Sequence, residues 1–209
     1  MKIELIPVGP LQSNCYVVYD ETGLAAVVID PGDEPEKIYR TVREKNLKVA
    51  AIVCTHAHFD HVGAVGRLRQ KTGAPVLLHV GDLEIYSRAD EQGAIWGFRI
   101  EQPPKPDSFV SEGDAVTAGA VTLRVLHTPG HSPGGICLYA EAEGVVFTGD
   151  TIFAGSIGRT DFKGGDIEAL KRSFRRIINL PEKTQLFPGH GNWTTVGDER
   201  ETNFFMREI

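Results

Sequence analysis

The chain has 209 residues, 41% of them hydrophobic and 24% charged, which predicts a single folded domain over residues 1–209 and excludes a disordered chain. With 22 Lys and Arg residues against 28 Asp and Glu residues, the net charge is −6, and we expect no nucleic-acid partner. The longest apolar runs have six residues, and Glu4 and Pro7 interrupt the start, so we expect neither a membrane span nor a signal peptide. Three cysteines without a CxxC pair fit a cytoplasmic protein that has no disulfide framework.

Short apolar runs alternate with helical segments along the first half of the chain. A helix is predicted over 34–46, with Asp33 as its N-cap, and a second over 61–72 that ends at Gly73. Residues 87–106 hold three prolines and no clean period, so we expect mostly loop there. The predicted strands of this half are 3–7, 14–19, 25–30, 49–54 and 75–79.

The second half of the chain predicts two hairpins, one long helix, one strand and a short C-terminal helix. Strands interleaved with helices, joined by both hairpins and crossovers, indicate a layered α/β or α+β domain. The hairpins cover 116–127 and 135–148, the long helix 166–179, the strand 184–187 and the terminal helix about 197–205.

Histidine and aspartate residues gather where predicted strands end. The segment THAHFDH follows directly on the strand 49–54, and His131, Asp150 and His190 each follow a later strand on turns rich in Gly and Pro. Five of the seven histidines lie in these four places. Because rigid strands hold chemically active residues on the loops at their ends, this pattern favours a functional site.

The residue types in these turns are those that bind zinc and iron. His56 and His58, two residues apart on a tight turn, can converge on one ion, whereas Asp60 and His61 must point elsewhere. The spacing therefore predicts two ions rather than one. A solvated polar loop would explain THAHFDH alone, but it does not explain three further turns of the same kind.

The motifs THAHFDH, TPGHSPG, FTGD and FPGHG resemble, in this order, the metal-binding motifs of the metallo-β-lactamase superfamily. The turn IDPG at residues 29–32 is similar to an early turn of that family. GRTDF at 158–162 and TTVG at 194–197 resemble most the short hydrolases of the glyoxalase II type. The resemblance implies an α+β fold, a four-layer αβ/βα sandwich with the site along one edge.

The resemblance also implies a role for each site residue. Asp60 and Asp150 are the predicted catalytic residues, Arg159 is a predicted substrate-binding residue, and Asp30 ties down the loops that carry the ligands. The predicted metal ligands are His56, His58 and His131 for the first ion, Asp60, His61 and His190 for the second, and Asp150 as the bridge between them.

The activity that this resemblance implies is metal-dependent hydrolysis. We expect two divalent ions, zinc in preference to iron or manganese, and cleavage of a small-molecule thioester such as S-lactoylglutathione by a metal-bridging hydroxide. The alternative is a mononuclear iron persulfide dioxygenase of the same superfamily, in which GRTDF loops also occur. The complete ligand set disfavours a non-catalytic metal-binding protein, and the missing export signal disfavours β-lactam hydrolysis. The oligomeric state stays open.

Overall fold

A computed structural model describes residues 1–209 as two six-stranded sheets packed face to face, with helices on both outer faces. The first sheet contains β1 (Lys2–Val8), β2 (Ser13–Tyr19), β3 (Ala25–Ile29), β4 (Lys48–Val53), β5 (Val76–His79) and β6 (Ser108–Val110), paired in that order. The following strands are β7 (Ala115–Ala118), β8 (Val121–His127), β9 (Ile136–Ala140), β10 (Val145–Gly149), β11 (Ile152–Phe153), β12 (Ser156–Ile157), β13 (Gln185–Pro188) and β14 (Thr194–Thr195). The second sheet has the order β14-β13-β10-β9-β8-β7, while β11 and β12 form a separate ribbon.

Seven α-helices connect and cover these sheets. None of them is long and apolar enough to cross a membrane. They are α1 (Pro35–Glu44), α2 (Phe59–Val62), α3 (Val65–Thr72), α4 (Leu83–Tyr86), α5 (Ala89–Ile95), α6 (Ile167–Ile178) and α7 (Val196–Thr202).

The layers follow from the alternation of side chains along the strands, because successive residues of a strand point to opposite faces. On β2, Val17 packs outward in one apolar cluster with Ile38 of α1, whereas Val18 packs inward, in the cluster between the two sheets. On the second sheet, Val146 lies in a third cluster with Phe174 of α6. The expected four-layer α+β sandwich is therefore present.

The start of α1 differs from the prediction. Asp33 is not the N-cap; that position belongs to Glu34, whose φ of 49° lies in the left-handed region. The helix begins at Pro35, one residue later than expected, because proline lacks the N–H that a first helical residue leaves unpaired anyway. The Asp33 carboxylate instead accepts a hydrogen bond from the backbone N–H of Glu34 at 2.6 Å.

The predicted helix 61–72 is divided into α2 and α3, because the N–H of Ala64 donates to the carbonyl of Pro31 at 2.9 Å and the chain bends there. Residues 87–106 are mostly loop, as expected, but they also contain the short helix α5, which has only Ala89 and Gly93 buried and so shows no apolar period.

The fold brings four strand ends to one edge of the sandwich. In the second sheet β10 runs parallel to β13, and β8 and β10 both run antiparallel to β9, so these three strands end on the same side. The two sheets are joined at this edge by the N–H of Ile136, which donates to the carbonyl of Thr55 at 2.8 Å. The loops after β4, β8, β10 and β13 consequently face one another.

Candidate metal centre

The structure brings together three histidines that the sequence analysis assigned to a first ion. His56 and His58 lie in the loop after β4 and His131 in the loop after β8, and we call them the first group. Their ligand nitrogens all lie within 4.8 Å of one another, and all three residues are buried. Nitrogen ligands about 2.0–2.1 Å from one ion lie within about 4 Å of each other, so this spacing suits a shared ion after small adjustments.

The residues assigned to a second ion also converge, and we call Asp60, His61 and His190 the second group. Asp60 Oδ2 lies 3.2 Å from His190 Nε2 and 3.4 Å from His61 Nε2. The two histidine Nε2 atoms are 3.2 Å apart. Ser13, which the sequence analysis did not single out, donates its hydroxyl proton to Asp60 Oδ2 at 2.8 Å and holds that carboxylate in place.

The carboxylate of Asp150 lies between the two groups. Its Oδ2 is 3.4 Å from His131 Nε2 of the first group and 3.8 Å from His190 Nε2 of the second. Its Oδ1 is 3.6 Å from His61 Nε2. Asp150 follows β10, the strand between β13 and β9, which explains its central position.

Hydrogen bonds turn the histidine rings so that one nitrogen of each faces the centre. His131 Nδ1 donates to the backbone carbonyl of Arg159 at 2.7 Å, and His61 Nδ1 donates to Asp30 Oδ2 at 3.2 Å. We assign these protons from the partners, because carbonyl and carboxylate oxygens can only accept. In both rings Nε2 is therefore left with its lone pair directed at the centre, the arrangement usual in metal-binding histidines.

Two more histidines follow the same pattern. His190 Nδ1 donates to the carbonyl of Leu11 at 3.2 Å. The Thr55 hydroxyl donates to Asp30 Oδ2 at 2.6 Å, so its oxygen is free to accept from His56 Nδ1 at 3.1 Å. The Nε2 atoms of these two rings thus also keep a free lone pair.

Several of the atoms that face the centre lack a suitable partner within the protein. His58 Nδ1 lies 2.8 Å from His131 Nε2, close enough for the two nitrogens to share one ion. His56 Nε2 and Asp150 Oδ1 are buried and have no hydrogen-bond partner at all. An unsatisfied buried polar atom costs roughly 1–3 kcal/mol, and bound cations would satisfy both His56 Nε2 and Asp150 Oδ1. The residues present therefore fit metal ions, and the two groups fit a dinuclear site.

The protonation states of the first group suit a metal ion. Burial, reinforced by the neighbouring His131, lowers the pKa of His58 to about 3. Burial also lowers the pKa of His56 well below its usual range, with His61 and His131 adding to the effect. Both rings are neutral at pH 7, and the neutral imidazole is the form that binds a metal.

The second group contains one charged carboxylate between two histidines. Burial alone would raise the pKa of Asp60, but the adjacent His61 and His190 outweigh it and hold that pKa well below the usual range. Burial likewise disfavours protonated His61, but Asp60 and Asp150 overcome it and raise the pKa of this histidine. The Asp60 carboxylate thus keeps its charge and attracts whatever cation is available, a proton on His61 or a metal ion.

Asp30 lies behind the centre and connects its loops. It is 1% exposed, and it accepts hydrogen bonds from the backbone N–H of Thr55 at 2.6 Å, from the Thr55 hydroxyl and from His61. Its oxygens lie close enough to His56 and His61 to count as ligand atoms by distance, but these donors already use them. This arrangement is consistent with the supporting role predicted for Asp30.

Asp82, which no sequence motif singled out, connects the loops of the first group. Its fully buried carboxylate accepts hydrogen bonds from the Ala57 N–H at 2.9 Å, the Ser132 hydroxyl at 2.8 Å and the Gly134 N–H. These partners flank His58 and His131. A signal was present in the sequence, because Asp82 follows the predicted strand 75–79 at the same sheet edge, but it lies outside the recognised motifs.

Gly189 allows the second sheet to approach the centre closely. A Cβ atom at this position would lie 2.1 Å from Asp150 Oδ1 and 2.9 Å from His61 Cε1. No side chain fits there unless the centre shifts. The glycine before His190 in the PGHG turn is therefore required by the packing around Asp150.

A cavity of about 510 Å³ opens onto both groups. Trp96 and Phe98 lie on its wall, together with Phe153 and Phe162. Arg159, predicted to bind substrate, also lies on the wall. Asp60 and Asp150, the two predicted catalytic residues, line the same cavity, so a substrate within it reaches both carboxylates.

Two curated relatives match this chain along its whole length. The probable metallo-hydrolase YqgX of Bacillus subtilis is 39% identical over 208 residues, which cover 99% of this chain and 98% of that protein. The hydroxyacylglutathione hydrolase GloC of Haemophilus influenzae is 37% identical over 209 residues, again 99% of this chain and 98% of the relative.

Solved structures share both fold and sequence with the chain. The BLEG-1 B3 metallo-beta-lactamase has a TM-score of 0.91 and 38% identity, covering 98% of this chain and 99% of that one. TTHA1623 in a di-iron-bound form has a TM-score of 0.90 and 45% identity, covering 97% and 99%. ETHE1 from Myxococcus xanthus has a TM-score of 0.82 and 28% identity, covering 98% and 84%.

The sequence profile of the metallo-beta-lactamase superfamily matches residues 8–190, which include every residue of both groups and Asp150. Together with the αβ/βα sandwich and the relatives of equal length, this match shows that the chain belongs to the metallo-beta-lactamase superfamily.

Proposed function

We propose that the protein is a hydrolase that uses two metal ions to cleave a thioester. The observation that carries this proposal is the position of Asp150, whose single carboxylate lies between two groups of three potential ligands. When bound, two metal ions would supply an activated water nucleophile and would polarise the substrate carbonyl. His56, His58 and His131 would hold one ion, Asp60, His61 and His190 the other, and Asp150 both.

The residues of the chain itself position the reactants. Ser13 fixes Asp60 by its hydrogen bond, and both Asp60 and Asp150 face the cavity, where their carboxylates can accept hydrogen bonds from the attacking water. The hydroxyl part of that water adds to the acyl carbon, the carbon–sulfur bond breaks, and the remaining proton goes to the thiol.

A thioester is preferred as substrate because a relative of equal length is the hydroxyacylglutathione hydrolase GloC. Two other activities are kept as alternatives. The first is a persulfide dioxygenase, which the similarity to ETHE1 and the GRTDF loop favour. The second is β-lactam hydrolysis, which the similarity to BLEG-1 makes worth testing.

The deciding experiment compares three assays on protein reconstituted in parallel with zinc, iron or manganese. Thiol release from a panel of thioesters, β-lactam ring opening, and oxygen uptake with glutathione persulfide are measured under the same conditions. We expect thiol release to be the fastest of the three. Oxygen uptake without thiol release would instead establish the dioxygenase, and ring opening alone would establish a lactamase.

The variant His190→Ala separates one-ion from two-ion chemistry. It removes a ligand of the second group and leaves the first group intact, so thioester turnover should fall by roughly 100-fold. His127→Ala is the matched control, because this histidine stacks on His79 at 4.1 Å and lies outside both groups. Turnover in His190→Ala equal to that of the control would contradict the two-ion proposal.

A further inference from the structure

The cavity wall offers a substrate mainly apolar contacts. Seven of its fifteen lining residues are hydrophobic, and five of the seven are aromatic. Phe59 and Phe98 stack with their ring centroids 5.4 Å apart, and Trp96 packs edge-on against Phe162 at 5.9 Å. Aromatic surfaces of this kind stabilise apolar and aromatic groups by burial and by ring packing.

The one arginine on this wall is already paired with a carboxylate. Arg159 is the only Lys or Arg side chain among the lining residues. Its Nε and one of its terminal nitrogens donate to the two oxygens of Asp161 at 2.6 and 2.5 Å, and its guanidinium lies 4.0 Å from the centre of the Phe162 ring. A bidentate pair of this geometry uses the side of the guanidinium that a substrate carboxylate would otherwise bind.

The adjoining cleft has no excess of positive charge either. It has a volume of about 250 Å³ and shares Leu11, Asp60 and Phe98 with the main cavity. Its one cationic residue, Arg99, lines it together with Asp33, which carries the opposite charge. Away from the metal groups, a substrate carboxylate in either space would lose water and meet no unpaired Lys or Arg side chain, which is costly.

Resting on the proposed function, we propose that the thiol part of the substrate is uncharged and apolar, and that Asp161 determines this specificity by occupying Arg159. The natural substrate is then a thioester of an aromatic or aliphatic thiol rather than of a thiol that carries carboxylates, such as glutathione. We place the thiol part of the substrate in the cavity, because a small acyl group such as lactoyl alone would leave most of the cavity volume empty.

Two esters with the same lactoyl group test this proposal on the metal-loaded wild-type protein. One is S-lactoylglutathione, and the other is the lactoyl thioester of benzyl mercaptan. We expect kcat/KM to be about tenfold higher for the benzyl ester. The benzyl group gains a contact with the aromatic wall, whereas the glutathione carboxylates find Arg159 already occupied. A preference for the glutathione ester would overturn the inference while leaving the thioesterase proposal intact. Hydrolysis of neither ester would overturn both.

The variant Asp161→Asn tests the role given to Asp161. Because it frees the Arg159 guanidinium, the ratio of kcat/KM for the glutathione ester to that for the benzyl ester should rise by about fivefold to tenfold, mainly through KM. Glu84→Gln is the matched control, since it breaks another exposed pair, with Lys163 at 2.6 Å. An unchanged ratio in Asp161→Asn, or an equal rise in the control, would overturn this role.

Discussion

The substitution Asp82→Ala is expected to destabilise the fold and the metal centre together. Three donors converge on the buried Asp82 carboxylate, and the variant leaves the N–H groups of Ala57 and Gly134 without an acceptor. Hydrogen bonds to a charged acceptor contribute roughly 1.5–3 kcal/mol each, and the Ser132 hydroxyl can turn to another partner. We therefore expect the free energy of unfolding to fall by about 3–6 kcal/mol, the sum for the two N–H groups that lose their acceptor.

Urea unfolding of the metal-free protein measures this loss, and metal titration of the folded fraction measures the second effect. Because Asp82 joins the loops that carry His58 and His131, metal affinity should fall by roughly 10-fold to 100-fold. Asp114→Ala is the control, since this exposed aspartate also accepts a backbone hydrogen bond, from Ser111 at 2.8 Å. The reasoning is refuted if both variants unfold at the same urea concentration, or if Asp82→Ala keeps wild-type metal affinity.

Three further predictions concern separate parts of the molecule. Gly189→Ala should displace the Asp150 carboxylate, and a shift of about 1 Å is expected to cost roughly 100-fold in turnover, measured as kcat on the reconstituted variant. Phe174→Ala empties a fully buried position under the second sheet and should cost about 3–5 kcal/mol in urea unfolding. Arg176 holds the pKa of Glu112 at about 2, below its ordinary 4.5, so this pair stabilises the fold above pH 4.5 and loses the effect as the pH falls toward 2. Glu112→Gln should therefore be less stable than wild type at pH 6, and the difference should largely disappear at about pH 2, whereas a difference independent of pH would contradict this.

The layered class of the fold and the meeting of its polar turns were predictable because both depend on local patterns, whereas the four-layer sandwich was implied by the family resemblance. The unbroken apolar run 49–54 belongs to a strand with both faces covered, and the turn after it can only lie at a sheet edge. The convergence of His131, Asp150 and His190 followed from their equivalent places after parallel strands. Their roles as metal ligands stay predictions.

The features that sequence reasoning missed depend on contacts between distant segments. The division of the predicted helix 61–72 arises from a hydrogen bond to Pro31, and α5 has too few buried residues to show a period. The role of Asp82 becomes visible only when its three donors, between 25 and 52 residues away, are brought around it. The pairing of Arg159 with Asp161 is local, yet its effect on the cavity depends on where the loop lies.

The metal content of the chain tests the central claim most directly. Native mass spectrometry and elemental analysis of protein purified without added metal, then reconstituted, give the number of ions per chain. Two complete ligand groups joined by Asp150 predict about two transition-metal ions in the wild type, and Asp150→Ala should lose ions from both groups together. Less than about half an equivalent in the reconstituted wild-type protein, or two ions retained by Asp150→Ala, would contradict the account.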